Sequence, residues 1–84
     1  MILDNYLNEK VSIDKQYGIP QEKKYPLYDK KHVLSAIKLF NWVDEKYEKQ
    51  LAEAILKKID EYNINIEEIH ITEKNRFYKY LTKN

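Results

Sequence analysis

Apolar residues recur at helical spacing in two stretches of this 84-residue chain. After Val33, the positions Ala36, Ile37, Phe40 and Val43 form a stripe with the 3.6-residue period of one helix face, which predicts a first helix over about 30–42. Pro26 is expected to hold Tyr25 extended, and Asp29 stands where a capping carboxylate is needed. Tyr28, just before that cap, is spaced to staple against Val33. A second stripe, Tyr47, Leu51, Ala54, Ile55, Ile59 and Tyr62, follows the cap-competent Asp44 and predicts a helix over about 45–61, with Lys58 as its only polar interruption. Glu53 and Lys57 form an i,i+4 pair on its outer side, and Asn63 suits the left-handed residue after its end. A pair of this kind is worth only about 0.2–0.5 kcal/mol, so each helix depends on burying its stripe. The short connection makes the two a helical hairpin.

The flanks are less regular. Residues 1–24 read as an N-terminal arm: Ile2, Leu3, Tyr6 and Leu7 fit a turn of helix, Val11 and Ile13 alternate, Gly18-Ile19-Pro20 breaks the run, and Gln21-Glu22-Lys23-Lys24 is a solvated linker. Between 64 and 71 the isoleucines alternate in two pairs whose parity changes across Glu67-Glu68. Extended structure is the preferred reading there, although one helical turn capped by Asn65 with Glu68 at its third position also fits. Thr72 is placed to cap a short C-terminal helix through Phe77 and Leu81. The expected fold is therefore mainly α: one helical domain over 25–84, built on the hairpin, with the arm laid against it.

Composition narrows the chemistry. With no cysteine, disulfides, thiolate metal sites and thiol nucleophiles are excluded together. Fifteen basic and fourteen acidic residues leave a net charge of +1, and no segment is a charged arm. Only Arg76 among the basic residues is arginine, which disfavours direct reading of DNA bases, because the guanidinium fork makes the bidentate contacts. No apolar run approaches the roughly 20 residues that span a bilayer, and the first residues lack a signal-peptide pattern, so no membrane association and a cytoplasmic or virion-associated location are expected.

No residue set carries an enzymatic signature. His32 and His70 are too few for a histidine metal cage, and as a pair they would need a carboxylate brought beside them. The acidic pairs Asp44-Glu45, Asp60-Glu61 and Glu67-Glu68 fall at helix ends or in polar turns, where solvated charge accounts for them. Neither a Gly-rich phosphate loop nor a catalytic-serine elbow is present. A non-enzymatic protein with no cofactor and no metal is expected. Among the eight tyrosines, Tyr78 and Tyr80 interleave with Lys74, Arg76 and Lys79 as in a single-stranded nucleic-acid surface, although Phe77 and Leu81 clamping the last helix onto the hairpin explains the same segment. Trp42, near the end of the first helix and off its stripe, is either an anchor for a partner or a cover beneath the arm.

The run from Lys24 to Ile37, with its Tyr25-Pro26-Leu27-Tyr28-Asp29 start and Val33-Leu34-Ser35-Ala36-Ile37 stripe, then Phe40-Asn41 and Leu51-Ala52, resembles an uncharacterised small helical domain of phage-associated proteins. That domain is also found at the ends of some head-maturation proteases and other virion-related polypeptides. The resemblance covers about half of the chain, from Tyr25 to Asn63, and brings no catalytic residues with it. It implies a phage or mobile-element setting, and abundant Lys, Ile, Asn and Tyr fits AT-rich coding. The expected function is protein interaction with a host or virion component. The alternative is a nucleic-acid accessory protein using Lys74, Arg76, Tyr78, Lys79 and Tyr80.

Overall fold

The computed structural model describes residues 16–82. In chain order these form strand β1 (Tyr17–Ile19), a 3-10 turn (Pro20–Glu22), strand β2 (Lys24–Pro26), helix α1 (Lys30–Lys38), a 3-10 turn (Phe40–Trp42), helix α2 (Glu45–Glu61), a 3-10 turn (Ile66–Glu68) and the short helix α3 (Tyr78–Leu81). The fold is a small mainly α domain with one two-stranded antiparallel sheet. Both stripes close on each other: Val33, Ala36, Ile37, Phe40 and Val43 are buried against Leu51 and Ile55. Ala52, which the stripe of α2 did not include, is also fully buried; it lies one turn from Glu48, on the side of α2 that the C-terminal segment covers.

Local signals set the ends of both helices. The carboxylate of Asp29 accepts from the backbone N–H of His32 at 2.8 Å, and that of Asp44 from Lys46 N–H at 3.1 Å, each satisfying a donor that a helix start leaves open. At the other end of α2, Asn63 takes a left-handed conformation with φ 53°. The bonds from Ile64 N–H to Ile59 carbonyl (2.9 Å) and from Asn63 N–H to Asp60 carbonyl (3.3 Å) make a Schellman closure.

Several expectations are corrected. Helix α1 ends at Lys38 and not near 42. The chain tightens into i→i+3 bonds there, from Trp42 N–H to Leu39 carbonyl and from Val43 N–H to Phe40 carbonyl, turning Phe40 and Val43 inward and Trp42 outward. Tyr28 does not staple Val33. Its side chain is 51% exposed and lies beside the His32 ring at a centroid distance of 4.3 Å. Within α2 the ion pair is Lys58 with Glu61 at 3.1 Å, and the Lys58 ammonium also lies 5.2 Å from the centre of the Tyr62 ring, so the half-buried lysine in the stripe keeps partners for its charge.

Residues 21–24 are not a linker. Pro20–Glu22 and Lys23 (φ 52°) turn the chain so that Tyr17 pairs with Pro26 and Ile19 with Lys24. Ile19 and Leu27 enter the core, and Gly18 lies so close to α2 that a Cβ there would overlap the Leu51 Cδ1 methyl and force that side chain to shift. The rest of the expected arm, including Tyr6, Val11 and Ile13, lies outside the described residues. Residues 64–71 are not extended throughout: Asn65 and Glu68 form a capping box around a 3-10 turn, while Ile64 and Ile69 are buried. Thr72 caps only a turn, its hydroxyl accepting from Lys74 N–H at 3.3 Å, and the C-terminal helix starts later, at Tyr78.

Candidate interaction surface

The basic-aromatic C-terminal segment is drawn onto one carboxylate. Glu48 of α2, 13% exposed, accepts from Arg76 Nε at 2.9 Å and from Arg76 Nη2, from Lys79 Nζ at 3.0 Å and from the Tyr80 hydroxyl at 2.9 Å. The Arg76 guanidinium bonded to it holds the Glu48 carboxyl at about 2, against an ordinary 4.5, with Lys79 and Tyr80 adding to the effect and burial opposing it. Burial, reinforced by Glu48, raises the Tyr80 hydroxyl, and Glu48 raises the Lys79 ammonium. Asn41, in the turn after α1, completes the clasp. Its amide donates to the Lys74 carbonyl at 3.2 Å and accepts from Arg76 N–H at 2.7 Å, and its carbonyl accepts from Arg76 Nη1 at 3.1 Å. Asn75 donates at 3.0 Å to the Ile37 carbonyl, in the last turn of α1. Below this polar layer Phe77, Phe40 and Tyr80 pack together, with centroids 5.2–6.1 Å apart. Of the five residues in that segment, Arg76, Lys79 and Tyr80 are thus tied to the fold. Tyr78 and Lys74 are exposed.

Trp42 is elsewhere and differently placed. It is 80% exposed, the most exposed large apolar side chain among the described residues, with Leu39 at 49% beside it on the same turn. Together they stand at one end of a groove of about 370 Å³ between α1 and β2, lined by Lys24, Tyr25, Pro26, His32, Ser35, Ala36, Leu39 and Trp42. The groove exists because Ser35 and Ala36 are small where α1 faces β2, while Tyr25 and Trp42 are large at its sides. Tyr25 does not have the extended backbone expected before Pro26: it holds φ 60°, a left-handed conformation that costs a bulky residue, and all the more one preceding proline, about 1–3 kcal/mol.

At the other end, His32 is fixed by two neighbours. Its Nδ1 lies 2.7 Å from the Asp29 carboxylate and its Nε2 3.2 Å from the Tyr28 hydroxyl. The backbone N–H of His32, followed by its ring, lowers the Asp29 carboxyl below the ordinary carboxylate value. His70 is exposed, and no group of three His, Asp or Glu among the described residues is close enough to hold a metal. No described helix is long and apolar enough to cross a membrane.

From its place off the stripe, the sequence marked Trp42 as either a partner anchor or a cover beneath the arm. It gave no sign of the groove, whose β2 wall depends on the hairpin that the pattern did not reveal. No protein-family model matches the chain, and searches of curated proteins and of solved structures likewise return no match.

Proposed function

We propose that the protein is a non-enzymatic interaction module of phage or mobile-element origin that docks a protein partner through the groove between α1 and β2. The observation that carries this reading is the exposure of Trp42 beside Leu39 over an apolar recess. A tryptophan held in water forfeits the burial that its large apolar area would give, and such residues are the usual anchors of interfaces. The strained backbone of Tyr25 in the groove wall adds support, since strain of this kind concentrates at functional sites. The setting rests on the resemblance of residues 25–63 to the phage-associated domain.

The nucleic-acid reading draws less support, because the Arg76 fork, Lys79 and the Tyr80 hydroxyl are committed to Glu48. The test is chemical cross-linking in host-cell and virion lysates with the wild type and with a Trp42→Ala, Leu39→Ala variant. Partner bands present with the wild type and lost with the variant are expected. Bands that persist unchanged in the variant would contradict docking at this site.

A further inference from the structure

No carboxylate is among the residues that line the groove itself, while Glu22 and Asp44 line the depression that adjoins it at Lys24 and Trp42. Residues 23–43 contain five lysines and a single acid, Asp29, whose carboxylate is already taken up by His32 at the far end. Lys24 lines the groove on the strand side. It also lines a neighbouring depression together with Trp42, which places it at the Trp42 end. Its partner there, Glu22, is 3.6 Å away in an exposed pair. On the helix side, Lys31 and Lys38 are seven residues apart and share the flank of Ser35, and all three side chains are exposed. The apolar recess is therefore edged by Lys24 on one side and by Lys31 and Lys38 on the other.

We infer that the occupant of the groove is a peptide segment of a partner protein with apolar anchors flanked by Asp or Glu. This inference rests on the docking reading above and specifies its partner. The anchors fill the space over Ala36 between Leu39, Tyr25 and Trp42, while the acidic flanks meet the lysines of both rims. Lysine suits this task, since its charge reaches flexible carboxylates without a fixed geometry and steers their approach. A single strand of nucleic acid fits less well. It would offer phosphates to the rim, but of the aromatic residues that line the groove, Tyr25 and His32 are half-buried and only Trp42 is exposed, so there is no row of open stacking platforms.

Trp42 is the only tryptophan of the chain, so its fluorescence reports occupancy directly. Three synthetic peptides with the same Leu and Phe anchors, flanked by Glu, by Gln or by Lys, are titrated against the full chain at low and moderate salt. The Glu peptide is expected to shift Trp42 emission and to bind about tenfold more tightly than the Gln peptide, and the Lys peptide more weakly than either. The preference of the Glu peptide should shrink with salt and disappear in a Lys31→Glu, Lys38→Glu variant, whose substitutions are on exposed positions.

Equal binding of all three peptides, or tighter binding of the Lys peptide, would overturn the acidic partner and leave the docking site standing. A shift produced by a single-stranded oligonucleotide and not by the Glu peptide would replace the partner with nucleic acid. A concentration-dependent shift without any peptide would replace it with a second copy of the chain. No response of Trp42 to any ligand up to millimolar concentration would overturn the docking site itself.

Discussion

The Arg76 guanidinium and the Glu48 carboxylate meet across 28 positions of sequence, Nε donating at 2.9 Å, and their pairing fastens the C-terminal segment to α2. Glu48→Gln removes the charge that Arg76 and Lys79 share, and is expected to cost about 2 kcal/mol, the scale of hydrogen bonds to charged groups. In thermal unfolding of a domain this size, that corresponds to a fall in Tm of about 10 °C.

Acid should act through the same carboxylate. Its folded value, about 2, lies below the ordinary 4.5, so its contribution is complete above about pH 4.5 and is lost as the pH falls toward 2. Asp29, bonded by His32, and Glu68, bonded by Lys30, are lowered too and act in the same direction. Melting curves from pH 7 to pH 2 should therefore show the wild type losing stability more steeply than Glu48→Gln, with the two converging at the acid end. Parallel curves would show that the Glu48 cluster contributes nothing.

Gly18→Ala tests the hairpin. The added methyl would meet the Leu51 Cδ1 methyl, and this fully buried side chain would have to shift within the core, so a loss of about 1–3 kcal/mol is expected by chemical denaturation. A neutral result would mean that β1 does not lie on α2.

Phe77 and Trp42 are both aromatic and should behave oppositely. Phe77→Ala opens a cavity beside Phe40 and should cost about 3–5 kcal/mol, which is a large share of the total stability of a chain this short. Trp42→Ala should stay within about 0.5 kcal/mol of the wild type, because so little of the side chain is packed. Circular dichroism melts of the two variants measure the contrast.

What the sequence disclosed follows from the range of each interaction. The stripes of α1 and α2, the caps Asp29 and Asp44 and the left-handed Asn63 are local features, set by residues within a turn or two, and all are present. The β-hairpin was not legible because its strands are three residues each and owe their place to Leu51, at least 25 residues away, which no local period records. The role of Arg76 was hidden for the same reason. A basic residue next to aromatics reads alike whether it faces a ligand or a distant glutamate. Residues 64–71 offered both readings, and the capping box of Asn65 and Glu68 decided between them locally. Trp42 was singled out by its position off the stripe, while the groove beside it required two elements to meet.

A closed core leaves the one tryptophan of this chain in water at the mouth of an apolar groove. Iodide quenching of Trp42 fluorescence in the free protein tests this most directly. Quenching close to that of the urea-unfolded chain, with emission typical of an indole in water, is the predicted result. A blue-shifted tryptophan protected from iodide would contradict it, placing Trp42 inside the fold and removing the docking surface.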